Sequence, residues 1–108
     1  MKARSFSHTG VTVADFDRFV QFYAEHFGCR LVAVGESDPA WVRGFFGVDA
    51  EEPRCRIGWL RTPGGGMLEI FEFTPQQPAQ EVAWSRVGLT HISFDVKNSY
   101  KWHDHLVK

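Results

Sequence analysis

The chain has little cysteine, no long apolar run and almost no net charge. Its 108 residues include only Cys29 and Cys55, which make neither a disulfide framework nor a zinc motif. No apolar run approaches the roughly 18–20 residues of a membrane span, and the start, Met-Lys-Ala-Arg-Ser-Phe-Ser-His, lacks the apolar centre of a secretory signal. The net charge is −1 and the sequence has no basic stripe, so its charge gives no reason to expect that the protein binds nucleic acid. We therefore expect a soluble, cytoplasmic protein with neither nucleic-acid nor membrane partners.

The apolar content is sufficient for one folded domain. Hydrophobic residues make up 44% of the chain, and ten of them are Phe. Residues 6–14 predict a strand with Val11 and Val13 on one face. Asp15 is the predicted N-cap of a following helix, whose apolar stripe continues until Gly28, the predicted C-terminal cap. The sequence therefore opens with a strand and an amphipathic helix.

The rest of the chain predicts mostly strands. A Thr-Pro-Gly-Gly-Gly turn is typical of a hairpin between two of them. Trp41, Phe45 and Phe46 belong to a predicted short helical turn and are expected in the core rather than in a pocket; if exposed, they would form an apolar wall or lid over a substrate. The further elements are predicted strands at 29–35, 54–61, 67–74 and 89–96, the helical turn within 38–47, a connector at 75–86, and a last helix capped by Asn98 or Ser99.

An internal repeat appears when the chain is shifted by 83 positions. His8 then matches His91, and the cap residue Asp15 matches Asn98. The apolar matches are Val11 with Phe94, Val13 with Val96, Phe19 with Trp102, and Tyr23 with Leu106. We predict an α+β fold of paired β-α-β-β-β modules that form a cupped mixed sheet. The second module is truncated after its first strand and helix.

The repeat also predicts the domain organisation. Residues 1–108 form a single domain, with module one at about 4–76, a linker at 77–87 and a partial module two at 88–108. One face of a four-stranded module is covered by its helix, and the concave face needs a partner. We expect a second copy of the chain to cover that face in a homodimer.

Two histidines at matched repeat positions, both predicted to face away from the helices, indicate a metal site. Imidazole nitrogens suit Zn, Ni, Fe and Co. Glu69 and Glu72 lie on a strand that could line the same space, and their spacing of three puts them on opposite faces. Alternation alone does not choose between the two carboxylates.

Three segments of this chain resemble the vicinal oxygen chelate superfamily. They are Ser-His-Thr-Gly-Val-Thr-Val-Ala-Asp-Phe-Asp-Arg-Phe-Val-Gln-Phe-Tyr, Met-Leu-Glu-Ile-Phe-Glu-Phe and Gly-Leu-Thr-His-Ile-Ser-Phe-Asp-Val. The superfamily includes glyoxalase I, methylmalonyl-CoA epimerase, extradiol dioxygenases, fosfomycin-modifying enzymes and metal-free bleomycin-binding proteins. The resemblance covers nearly the whole chain in the same order.

The resemblance implies a metal centre with His8, Glu69 and His91 as ligands and a divalent ion (Zn, Ni, Fe, Mn or Co). The Leu-Glu-Ile pattern selects Glu69 and leaves Glu72 outside. A fourth ligand is usual on the last strand of the second module, and the matching position, about residue 152, lies beyond Lys108. No residue of this chain is assigned as the catalytic base.

The implied function is a glyoxalase-type metal-dependent lyase or isomerase acting on a small molecule. Two neighbouring substrate oxygens chelate the metal, which acts as a Lewis acid and stabilises an enediolate. An extradiol ring-cleaving dioxygenase is the catalytic alternative, because two His and one carboxylate also fit its iron site. A metal-free drug-binding module, similar to bleomycin resistance proteins, is the alternative without catalysis.

Overall fold

The computed structural model describes residues 1–107, which form two compact units. The first comprises Met1–Gln77, and the second begins at Pro78. The elements of the first unit are β1 (Thr9–Thr12), α1 (Phe16–Phe27), β2 (Arg30–Ser37), α2 (Pro39–Phe46), β3 (Arg54–Arg61) and β4 (Met67–Thr74). The second unit contains α3 (Ser99–Leu106). No helix in the described part of the chain is both long and apolar enough to cross a membrane.

The first unit is a four-stranded mixed sheet in the order β1-β4-β3-β2. β1 pairs parallel with β4, and the other neighbours pair antiparallel. The turn between β3 and β4 closes with a hydrogen bond from the Thr62 amide to the Gly66 carbonyl, 2.8 Å long. The α+β class, the mixed sheet and the hairpin predicted from the sequence are therefore confirmed.

Helix α1 begins and ends where the sequence predicts. Asp15 accepts a hydrogen bond from the Arg18 amide at 3.1 Å, which satisfies one of the unpaired amides of the first turn. Gly28 ends the helix with φ of 72°, a left-handed conformation that favours glycine. The segment predicted as a helical turn is the eight-residue helix α2, which is capped in the same way by Asp38 and Gly47.

The main core lies between α1 and one face of the sheet. Phe16, at the start of α1, is completely buried above Gly58 of β3. Leu60 and Ile70, which are also buried, belong to the same face because Gly58 pairs with Ile70 and alternate strand residues share a face. This packing assigns the even-numbered residues of β3 and β4 to the helix side. The odd-numbered residues lie on the opposite face, called the open face below, which α2 covers at one end, where Cys55 is fully buried and Phe46 packs on Phe71 and Phe73.

The predicted strand at 89–96 is wrong, because the structure has no strand over these residues. A strand needs a hydrogen-bonded neighbour, and β1, its counterpart in the repeat, obtains one from β4. Residues 89–96 pair with none of the strands in the described part of the chain. The helix predicted after this segment is confirmed as α3, with Asn98 accepting from the Lys101 amide at 3.1 Å.

The core placement predicted for two aromatic residues of α2 is also wrong. Trp41 and Phe45 are 52% and 66% exposed, and they stack on each other with ring centroids 4.8 Å apart. They are four residues apart, so they share one side of α2, while Val42 supplies the buried contact of this helix. Phe46 is half-buried and packs edge-on against Phe71, as predicted for a core residue.

Candidate metal centre

His8 and Glu69 lie together at the open face of the first unit. His8 immediately precedes β1, and Glu69 lies in β4, the strand that pairs with β1. His8 Nε2 is 3.3 Å from Glu69 Oε1, and the two side chains are 35% and 21% exposed. Part of each polar group therefore remains accessible to an ion or a ligand. These two residues, called the donor pair below, come from positions 61 apart in the sequence.

The separation of the donor pair fits two ligands of one ion. In a metal site, each ligand atom lies about 2.1 Å from the ion. If the ligand–metal–ligand angle is between the octahedral and the tetrahedral value, the two ligand atoms lie about 3.0–3.4 Å apart. An imidazole nitrogen and a carboxylate oxygen are donors that zinc, iron, manganese, nickel and cobalt accept. The donor pair therefore fits a divalent ion as two members of its ligand set.

Two neighbours hold the His8 ring in place. Ser7 Oγ lies 2.8 Å from His8 Nδ1, and the Trp59 ring meets the imidazole edge-on with centroids 4.7 Å apart. Without a metal, Nε2–H can donate to Glu69 while Nδ1 accepts from the Ser7 hydroxyl. In the other tautomer Nδ1–H donates to Ser7, and the lone pair of Nε2 is available to a metal placed between Nε2 and Glu69. Trp59 reaches this position because it pairs with Glu69 across β3 and β4.

Glu72 has a different role. Its Oε2 accepts a hydrogen bond of 2.6 Å from the Phe16 amide at the first turn of α1. The carboxylate thus lies on the helix side of the sheet, where it satisfies a helix amide that has no partner within the helix. The two carboxylates of β4 are separated as the alternation predicts, with Glu69 beside His8.

His91 belongs to the second unit, which resembles the first at this position. Thr90 Oγ1 lies 2.8 Å from His91 Nδ1, as Ser7 Oγ does from His8 Nδ1. The repeat predicted from the sequence therefore extends to the hydroxyl that precedes each histidine. Among residues 1–107, no group of three His, Cys, Asp or Glu side chains is placed to hold a metal ion. His91 thus stays a predicted ligand.

Comparisons with known proteins identify the family. The model of the Glyoxalase/Bleomycin resistance protein/Dioxygenase superfamily matches residues 5–108. The chain belongs to this superfamily. The crystal structure of a glyoxalase family protein from Bacillus cereus has a TM-score of 0.79 and 19% identity to this chain. The match covers 99% of this chain and 72% of that one, and it supports the fold. No curated protein matches.

Both cysteines of this superfamily member are free and buried. Burial raises the pKa of the Cys29 thiol. Burial also raises the pKa of Cys55 to about 11, where the Glu69 carboxylate adds to the effect and a hydrogen bond with the Glu72 backbone opposes it. Both thiols therefore stay protonated at neutral pH and are poor nucleophiles.

Sequence reasoning missed Ser7, Trp59 and the role of Glu72. The hairpin contains the signal for Trp59, because a turn centred on Gly64 makes position 59 the partner of position 69. The hydroxyl residue before each repeated histidine is also visible in the sequence. Nothing in the sequence marks the contact of Glu72 with the Phe16 amide, because it depends on how α1 crosses the sheet.

Proposed function

We propose that this chain is a metal-dependent lyase or isomerase of the glyoxalase type. His8, Glu69 and His91 are the proposed ligands of a divalent ion, which is Zn, Ni, Fe, Mn or Co. The observation that carries the proposal is the 3.3 Å separation of the donor pair at the open face of a superfamily sheet. The proposed substrate is a small molecule with two neighbouring oxygens, and the proposed setting is a cytoplasmic homodimer.

The bound ion would supply a Lewis acid that draws electron density from a substrate carbonyl. The donor pair would hold the ion on one side and leave positions open towards solvent, since both side chains are partly exposed. Ser7 and Trp59 would fix the orientation of the His8 ring before the ion binds. His8, Glu69 and His91 act as ligands in this proposal, so the base that removes a substrate proton is another group.

Replacing each carboxylate of β4 separately tests the ligand assignment. Glu69→Gln removes an anionic donor, and we expect zinc affinity to fall by at least about tenfold, a loss typical of damage to a metal site. Glu72→Gln is the matched control, because its amide oxygen still accepts from the Phe16 amide. We expect its zinc affinity to be nearly unchanged. Isothermal titration with zinc measures both, and equal losses would show that Glu69 is not the specific ligand.

Two further measurements separate the proposed activity from the alternatives. Elemental analysis of protein purified without added metal should find a divalent ion. Absence of any bound ion, together with no uptake of zinc, nickel, iron or manganese, would favour a metal-free binding module instead. Oxygen consumption with a catechol would favour a ring-cleaving dioxygenase, an activity that the name of the superfamily includes.

A further inference from the structure

An aromatic surface begins next to the donor pair. Phe71 follows Glu69 by two residues on β4, so both side chains lie on the open face with Cα atoms roughly 7 Å apart. A Cβ added to Gly10 would lie 3.3 Å from Phe71 Cε2, and Gly10 is the register partner of Glu69 on β1. The Phe71 ring therefore reaches back along the sheet to the level of Glu69.

From Phe71 a series of ring contacts continues to the surface of α2. Phe73 lies nearly parallel to Phe71, with centroids 6.2 Å apart, and Phe46 meets both rings edge-on at 5.8 and 5.3 Å. Phe45 contacts Phe46 at 5.0 Å and stacks on Trp41. We call these five residues the aromatic strip. Its inner end lies beside the donor pair, and its outer end, Phe45 and Trp41, is exposed.

The two rows of the sheet that carry Phe71 and Phe73 have no charged residue on the open face. A row here means the residues that face each other across neighbouring strands of the sheet. In the row that contains Phe71, these residues are Thr12, Ile57 and Gly35. In the row that contains Phe73, they are Cys55 and Ser37. A phosphate or a second carboxylate placed on these rows would lose hydration without meeting a positive group. These rows therefore favour an uncharged, flat ligand.

We propose that the ligand of this site carries an uncharged aromatic group next to its two chelating oxygens. The oxygens would be held at the donor pair, and the aromatic group would lie against Phe71 and the inner part of the strip. This inference rests on the function proposed above and adds the class of substrate to it. Stacked and edge-on ring contacts favour such a ligand over an aliphatic one with the same chelating atoms.

A matched pair of chelators tests the inference on the zinc-loaded protein. Acetohydroxamate and benzohydroxamate present the same two oxygens to a metal and differ only in a methyl or a phenyl group. We expect benzohydroxamate to bind about tenfold more tightly in calorimetric titrations, because ring contacts add to the larger apolar area that it buries. Phe71→Leu, which keeps an apolar side chain without a ring, should remove about half to most of this preference and leave zinc affinity unchanged.

Two other variants serve as checks. Phe22→Leu removes an exposed ring from α1, on the other side of the sheet, and should keep the full preference. Phe71→Met removes the same ring of β4 and replaces it with a flexible apolar side chain that adapts to irregular packing, so it should also reduce the preference, and the inference stays testable if Phe71→Leu does not fold. Provided that the protein still binds zinc, either of two results would overturn the inference. One is equal affinity for the two hydroxamates, and the other is a preference for benzohydroxamate that neither strip variant reduces. Failure to bind zinc would overturn the proposed function, and the inference with it.

Discussion

At the scale of single residues, Gly58 determines how closely α1 approaches the sheet. A Cβ at this position would lie 2.4 Å from Cζ of Phe16 and 2.8 Å from its Cε2. Because Phe16 is fully buried, its ring has little room to move aside. The φ angle of Gly58 is not positive, so the backbone conformation does not require a glycine here. The glycine is needed because a side chain would collide with the Phe16 ring. Neither the strand pattern nor the turn signals of the sequence identify this contact.

Gly58→Ala and Gly44→Ala should therefore change stability in opposite directions. In Gly58→Ala the added methyl forces Phe16 to shift, which should lower the free energy of unfolding by about 1–3 kcal/mol. Gly44 lies within α2, where an added Cβ meets nothing within 4 Å. Alanine has the higher helix propensity, so Gly44→Ala should raise stability by up to about 1 kcal/mol. Urea unfolding measures both, and wild-type stability in Gly58→Ala would contradict the contact with Phe16.

At the scale of elements, the start of α1 is held both by its own cap residue and by the sheet. Asp15 accepts from the Arg18 amide, as its position in the sequence predicts, and Glu72 accepts from the Phe16 amide. The second contact joins residues 56 positions apart and ties the helix to β4. The choice of Glu69 over Glu72 as a ligand candidate agrees with this structural use of Glu72.

Removing each of these two contacts should lower the free energy of unfolding by a different amount. Asp15→Ala should lower the free energy of unfolding by about 1 kcal/mol, the usual cost of losing an N-cap. Glu72→Ala should cost about 1–3 kcal/mol, because the partly buried Phe16 amide loses its acceptor. Glu25→Ala, at an exposed position of the same helix, is the control and should change little. Thermal or urea unfolding gives the three values, and a Glu72→Ala variant as stable as the control would argue against the contact.

At the scale of the whole molecule, the described chain combines a paired sheet with a second unit that has one helix. Strands β3 and β4 occupy the middle of the sheet, and each pairs with a neighbour on both sides. Residues 89–96 carry the alternating pattern of a strand without being one. The difference is the neighbour, because backbone pairing, and not the pattern itself, makes a strand.

Hydrogen exchange should distinguish these segments. We expect amides of β3 and β4 to exchange slowly, because exposing them requires opening the sheet. Amides of 89–96 should exchange orders of magnitude faster, since they have no ladder of hydrogen bonds. Mass spectrometry of peptic fragments after deuterium labelling gives both rates in one experiment. Protection of 89–96 equal to that of β4 would show that this segment pairs as a strand in solution.

Much of the fold of this chain was determined by the sequence alone, where the signals are local. Asp15 and Gly28 bound α1, and the glycine-rich turn between β3 and β4 specifies the hairpin, because capping and turn geometry involve residues close in the chain. The repeat matches His8 with His91, and the structure adds a hydroxyl beside each of them. Three segments of the sequence already resemble the superfamily that the comparisons show.

The resemblance selects Glu69 by its Leu-Glu-Ile pattern, but only the tertiary structure gives the physical reason why this carboxylate lies beside His8 and decides which residues surround the donor pair. A period of two in the sequence separates Glu69 from Glu72 and leaves their faces unassigned. The assignment comes from α1, which packs Phe16 over Gly58 and so makes the even-numbered face the helix side. Contacts between distant segments depend on strand order and register, and these are set by how the whole sheet buries its apolar residues.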